Sequence, residues 1–498
     1  VEFFDGSTLL STHTSAPYEH SLNFSSSAQN RGYTYTAKAT DSLGGSTTSA
    51  AVNLTVNIPT TPPPPAANWF VSPTGSDSNE GNSNTAPFKT LCKAKEAATS
   101  GQTIALMPGT YDGVNQNKPP INGACVVSFA VPVTIRALDP FNTLLRGITI
   151  VMQNGGTLEG LKVANDPAQS DLGSKVSASA GSLTINGFYS QSQVGSSTIP
   201  LALSGTVQAT LSPGVFVNYL GGVPDGKVLA FALVSGSAQL TVQGGRFEDE
   251  TDPTNPDPSC APLFSLNGTE ARVTLDGVVV RHKGTVARIT SGTFVAREGS
   301  MLEDVSTANN VGCVPAIDIE GTGNAVLEKS TLQNGVDGIA SDNTGSYRGS
   351  ISLKGATIKN FSKRGVFVNG NSTTAPVLNI ETTGFSGNAI GLESLGRVNL
   401  KLRSSTLQNN TYGLKLGGTA TSGFDLGTAT DAGGNTFSGN STSGLRLEAG
   451  LTVSATGNTW VANLQGADAA GKYAPQLKSG PDLGQNFELP TASNKVQF

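Results

Sequence analysis

The sequence predicts an all-β chain built mostly as a parallel β-helix, and three observations predict it. Gly numbers 60 of 498 residues and charged residues make up only 13%, while Ser, Thr and Asn crowd every segment. That composition favours strands and tight turns over helices. A phrase also recurs with different fillings: "STLQNGVDGIA", "ATIKNFSKRGVFV", "TTGFSGNAIGLES", "SSTLQNNTYGLKLGG", "NTFSGNSTSGLRL". The apolar residues heading these units, Leu332, Ile358, Phe385, Leu407, Phe437 and then Trp460, return at intervals of 26, 27, 22, 30 and 23 residues, a period that indicates a solenoid. Finally, the units alternate apolar and polar residues, as in "NAVLEKSTL", "GSISLKGATI" and "RVNLKLRSSTL", so each reads as one coil of about three short strands.

Residues 1–57 read as a separate small β unit. "VEFFDGSTLL" is strand, Asp-Gly turn, strand, and "GYTYTAKATDSLGGSTTSAAVNLTV" supplies two more alternating strands. The words "VEFFDGSTLL", "APY" and the stretch ending in "ATDSLG" resemble bacterial immunoglobulin-like domains. The resemblance implies a β-sandwich lacking its first one or two strands, since such domains usually run to ~100 residues. The chain starts at Val1, not Met, so a leader has been removed or upstream residues are absent. An incomplete sandwich exposes a sheet edge. The alternating tail "SNKVQF" is a candidate donor strand from a neighbouring copy, which would build filaments.

Residues 58–68, "IPTTPPPPAAN", hold four successive prolines and form an extended spacer, placing the domain boundary there. Residues 69–498 are the solenoid. A helix is expected near residues 90–99, with Leu91, Ala94, Ala97 and Ala98 at helical spacing; it would cover the N-terminal end of the core. The phrases "SPTGSDSNEG", "APFKT" and "PGTY" resemble the opening of a secreted bacterial parallel β-helix family whose first segment is a domain of unknown function. That resemblance implies a right-handed, pectate-lyase-like β-helix and leaves activity open, because the family includes lyase-like enzymes and proteins of no known chemistry.

Within the coils, equivalent strands stack in parallel about 4.8 Å apart. Leu414 and Leu416 are expected inside with Ile390 and Leu392, or Leu445 and Leu447, beside them, and Lys415 outside. Each fully buried side chain of this kind stabilises by about 1.5–3 kcal/mol. Asn334, Asn360, Asn388, Asn409 and Asn440 are expected at corners, where asparagine tolerates a left-handed backbone, and are placed to stack as an amide ladder. From about residue 465 the rhythm fades into a C-terminal cap, with Trp460 as a plug of the last coil.

The net charge of −5, without a block of Lys or Arg, argues against nucleic acid, and no apolar run reaches membrane-spanning length. Cys92, Cys125, Cys260 and Cys313 form no C-x-x-C pair. Their even number and wide spacing point to two disulfides in an oxidising compartment, Cys92 with Cys125 and Cys260 with Cys313 as sequence neighbours, against the alternative of four buried thiols.

Catalytic signatures are sparse. The three histidines, His13, His20 and His282, belong to no recognisable triad. The segments typical of polygalacturonases are absent. Glu248, Asp249, Glu250, Asp252 and Asp257 are dense enough in oxygen ligands to weigh as a Ca²⁺ site, but their spacing fits no known calcium loop and the segment reads as a solvated insertion. Asp318, Asp337 and Asp342, with Lys329 or Arg348 as base, would form a cleavage site if Asp318 stacked beside Asp337; otherwise they form a surface carboxylate ladder. Tyr189, Tyr219, Tyr347 and Tyr412 are candidates for a shallow sugar groove.

The favoured reading is a non-catalytic extracellular or bacterial cell-surface protein, a rigid rod contacting glycans, surface proteins or copies of itself and needing no cofactor. The alternative is a polysaccharide lyase or glycosidase acting in a groove of the solenoid.

Overall fold

In the computed structural model the recurring phrases become successive rungs. The structure describes residues 1–15, 18–20, 22, 29–56, 67–113, 125–164, 175–192, 199–212, 216–219, 231–249, 262–282, 284–304, 315–419, 421–448, 451–461, 463, 487–488 and 495–497. The chain divides into two units, Val1–Ala66 and Ala67–Phe498.

The first unit is a small antiparallel sheet. Its strands run in the order Thr8–Thr12, Glu2–Asp5, Arg31–Thr40, Ser46–Thr48, with Val52–Val56 also paired to the long third strand. Tyr33 is buried and stacks on Tyr35. Arg31 lies over the Tyr33 ring and pairs with Asp5. The second sheet of a sandwich is not among the described residues, and residues 57–66, which hold the prolines, also lie outside them.

The second unit is a right-handed parallel β-helix. A representative coil runs Asn324–Glu328 on a first face, Thr331–Gln333 on a second and Asp337–Ser341 on a third. The next repeats this as Ser350–Lys354, Thr357–Lys359 and Arg364–Gly370, and every equivalent pair is parallel. The first two faces form one continuous sheet bent at a corner; the third is a sheet of fourteen strands among the described residues. Leu332, Ile358, Phe385, Leu407, Phe437 and Trp460 stand in one register on the second face. Phe437 and Trp460 stack at 4.0 Å. Trp460 packs on the core at the last of these rungs.

Thr90 caps the helix Leu91–Ala97 by accepting from the Lys93 amide at 3.1 Å. Leu91 and Ala94 join the core, so the helix covers the N-terminal rungs Trp69–Val71 and Cys125–Phe129. At the other end Lys495–Gln497 adds a parallel rung to Thr452–Ser454, and Val496 is buried in the core. The tail expected to leave as a donor strand therefore completes its own solenoid, because Val496 finds there an aliphatic column already formed.

Two corners per coil are made by single left-handed residues. Between first and second faces stand Glu298, Lys329, Gly355, Thr382, Ser404 and Gly434; between second and third stand Asn334, Asn360, Gly387, Asn409 and Gly439. Behind the second corner runs a buried amide ladder of Asn388, Asn410, Asn440 and Asn463. The Asn388 backbone amide and Nδ2 both donate to Asn410 Oδ1, at 3.0 Å each. Asn410 repeats this onto Asn440 at 3.1 Å. Asn440 Nδ2 donates to Asn463 Oδ1 at 2.6 Å.

The expected single ladder thus resolves into two adjacent ranks, one buried and one left-handed and partly or fully exposed. Asn388 and Asn440 belong to the first, and Asn334, Asn360 and Asn409 to the second. A parallel correction applies on the third face. Leu414 aligns with Leu392 and Leu445, and Leu416 with Ser394 and Leu447, while Ile390 aligns with Tyr412 on the outward side. Ser394 stays buried by donating to the Gly417 carbonyl at 3.0 Å.

Each buried polar group left without a partner costs about 1–3 kcal/mol. Asn410→Ala is expected to destabilise by several such increments in urea unfolding, whereas Asn409→Gly, at a left-handed corner that glycine adopts freely, is expected to leave stability nearly unchanged.

Candidate functional site

The outward side of the third face gathers the charged residues that chemistry would need. One outward row follows the register Ser265, Arg288, Asp318, Ala340, Phe367, Glu393, Lys415, Arg446. A second, nearer the corner, follows Asp337, Arg364, Ile390, Tyr412, Ser443. Asp318 therefore stands beside Ala340, three strand positions from Asp337, and the two carboxylates do not stack.

Each carboxylate has its own partner. Arg288 Nε donates to Asp318 at 2.8 Å. Arg364 clamps the buried Asp337 with both Nε and Nη2, at 2.7 and 2.9 Å, and its Nη1 reaches Glu393 at 3.4 Å. Its guanidinium carbon lies 3.9 Å over the Phe367 ring. Lys415 bridges Glu393 at 2.9 Å and Glu448 at 3.4 Å. Arg446 pairs with Glu448 at 2.6 Å and reaches the Tyr412 hydroxyl at 3.5 Å. Among the described residues the connected network holds three cations and three carboxylates, and their charges balance.

Burial alone would lower the pKa of Arg364, yet Asp337 and Glu393 outweigh it and raise it. Lys415 behaves likewise between Glu393 and Glu448. For Glu448 burial pushes upward, but Arg446 and Lys415 prevail and the pKa falls.

The remaining sequence candidates lie apart from this network. Asp342 closes a local turn, accepting from the Thr344 amide and hydroxyl at 3.1 and 2.8 Å and from Ser346 at 2.9 Å. Those bonds outweigh burial and lower its pKa. Lys329 is an exposed left-handed residue at the first corner and Arg348 is exposed in the following loop. Tyr347 is a core residue whose hydroxyl donates to the Gly323 carbonyl at 3.0 Å, which removes it from any groove. Tyr412 alone of the four tyrosines is placed on this face; the side chains of Tyr189 and Tyr219 lie outside the described residues. So do Glu250, Asp252, Asp257, Cys260, Cys313 and the side chains of Glu248, Asp249 and Cys125, and with them both disulfide pairings and the acidic insertion. Among the described residues no three His, Cys, Asp or Glu gather as metal ligands.

Arg364, Glu393, Arg446 and Glu448 were not singled out from the sequence, and Lys415 was read there only as an outward residue. The available signal was the return of charged residues at about one-coil spacing on the third strand of several units. A recess of about 450 Å³ adjoins the second row, at the corner lined by Phe361, Ser362, Ala389, Asn409, Thr411 and Ser441, with the ladder amides Asn388 and Asn410 as floor.

The fold and this face define a parallel β-helical protein whose outward charges are paired across coils. The chain belongs to the family described as protein of unknown function (DUF1565), whose profile matches residues 73–124 and 230–464, more than half of its length. No curated protein matches it. Among solved structures, it is similar to pectate lyase Pel9A, at 14% identity over 69% of this chain and 79% of that one, with a TM-score of 0.37. It is also similar to the periplasmic alginate epimerase AlgG, at 11% identity over 80% and 85%, with a TM-score of 0.38. A third is the A-module of the Azotobacter vinelandii mannuronan C-5 epimerase AlgE6, at 13% identity over 82% and 93%, with a TM-score of 0.22. Likenesses at this level carry no argument about activity.

Two outcomes follow. Asp337→Asn is expected to destabilise by about 3 kcal/mol in denaturant titration, the low end for a broken sheltered ion pair because Glu393 and water still reach Arg364. A carboxylate whose folded pKa is depressed adds stability that is full above its unfolded pKa of about 4.3 and is lost as pH falls through the folded value. Glu448→Gln is therefore expected to flatten the acid side of the stability–pH curve, measured from neutral pH downward.

Proposed function

We propose that this protein is a non-catalytic extracellular or cell-surface scaffold that contacts polysaccharide through the outward third face. The observation carrying this reading is the commitment of every candidate acid on that face to a fixed basic partner. A general acid or base has to exchange its proton with substrate, and a carboxylate clamped at both oxygens, as Asp337 is by Arg364, is poorly disposed to do so. Lys329 and Arg348, the candidate bases, stand at a different corner and in a different loop.

The same face is well suited to hold a sugar chain. Ile390 and Tyr412 give it an apolar stretch, and a tyrosine ring offers a stacking surface with a polar tip. Planar Arg and Glu groups border it, and because their charges cancel, the face has no strong preference for an anionic polymer. The low charge content and the even number of cysteines support the extracellular placement. Among the described residues no helix is long and apolar enough to cross a membrane.

Affinity electrophoresis in gels containing neutral or uronate polysaccharides tests the reading. Retardation is expected in at least one gel, reduced about tenfold in affinity by Tyr412→Ala, with no new chain ends formed with or without Ca²⁺. Cleavage products abolished by Asp337→Ala would establish the enzyme instead.

A further inference from the structure

We infer that the recess at the corner between second and third faces is a binding seat for one uncharged sugar residue of such a chain; this deepens, and rests on, the polysaccharide reading of the face. Its volume of about 450 Å³ falls among small-molecule sites, which span about 300–1,000 Å³. Its ten lining residues are Phe, Ser, Gly, Asn, Ala and Thr, and none is ionisable. A uronate seated there would lose part of the water around its carboxylate and meet no cation among the lining residues. A neutral pyranose brings hydroxyls, which the lining matches.

The match follows from the coil repeat. Ser362, Ala389, Thr411 and Ser441 occupy equivalent positions on four successive coils, each two residues beyond the left-handed corner. Ser362, Thr411 and Ser441 are exposed, and their hydroxyls have no protein partner among the described residues. Ala389, between the first two, has no polar atom and little bulk, which leaves room for a ring between flanking hydroxyls. Asn409 adds an exposed amide able to both donate and accept.

The floor is rigid for an independent reason. Asn388 and Asn410 are buried, and their amides are bound to one another and to the Ile358 and Phe385 carbonyls, at 3.2 Å each. A ligand thus meets a pre-ordered surface and little ordering entropy opposes binding. The rim continues without a break into the apolar stretch, because Ile390 and Tyr412 directly follow Ala389 and Thr411 in the chain. A chain crossing the corner from the third face would stack one residue on Tyr412 while its neighbour enters the recess beside Thr411.

The test is calorimetric titration of the full chain with hexasaccharides of β-1,4-linked glucose, mannose and N-acetylglucosamine, and with oligomers of galacturonate and mannuronate. A neutral oligomer is expected to bind, and both Ala389→Phe, which fills the recess, and Thr411→Val, which removes one hydroxyl at constant shape, are expected to weaken it about tenfold or more with unchanged melting temperature. Wild-type affinity in both variants, or binding of uronate oligomers alone, overturns the inference. If Tyr412→Ala weakens binding while the recess variants do not, the face reading stands and the recess falls. If no oligosaccharide of either charge binds, both fall.

Discussion

The interaction on which this structure depends is the side-chain amide that satisfies the backbone at a buried corner. A chain that turns sharply against its own core presents N–H and C=O groups that neither strand ladders nor water can reach, and leaving them unpaired is costly. Asn388, Asn410 and Asn440 each accept, through one oxygen, the main-chain N–H of the preceding coil, and each returns a bond to a carbonyl further back. The first corner solves the same problem with Ser405, Asn435 and Asn458. There the Thr383 amide donates to Ser405 Oγ at 3.0 Å, the Ser405 amide to Asn435 Oδ1 at 2.9 Å and the Asn435 amide to Asn458 Oδ1 at 3.0 Å. Every such bond joins one coil to the next, so the corners set the register, and the register decides which residues face inward.

This explains why the second face was legible in the sequence and the third only in part. Leu332, Ile358, Phe385, Leu407, Phe437 and Trp460 sit immediately before a corner, in the shortest strand, where one apolar residue is flanked by polar ones and insertions do not intervene. Beyond the corner the count is ambiguous. Asn409 and Asn410 are neighbours of identical chemistry; one is exposed with φ of 55° and the other is buried. Only the backbone conformation separates them, and residue type does not encode it. The coil containing Lys363 carries one more residue between corner and strand than the coil of Ile390, since Arg364 pairs with Ile390. Such an insertion shifts every later position of the coil that carries it.

The charged face was legible as residue types and illegible as partners. Asp318 and Asp337 stood out because acids near basic residues are conspicuous along the chain. Their actual partners, Arg288 and Arg364, lie 30 and 27 residues away, one coil behind and one ahead. A solenoid turns that separation into direct adjacency, so sequence neighbourhood misleads where coil neighbourhood informs. The same geometry separates Lys329 and Arg348 from the acids they seemed to accompany.

The two kinds of cross-coil pairing then divide the labour of the surface. Ion pairs between partly sheltered groups, such as Arg364 with Asp337, hold strongly hydrated charges in fixed positions and cancel one another's field at a distance. What the proposed recognition would use is short-range: shape, hydroxyls and an apolar ring. Those are the features where Ala389, Thr411 and Tyr412 meet at the corner, over a floor already immobilised by the amide ladder. The β-helix thus pairs its charges along one face and leaves its polar but uncharged groups at the adjoining corner, the contrast on which the proposed preference for a neutral sugar chain rests.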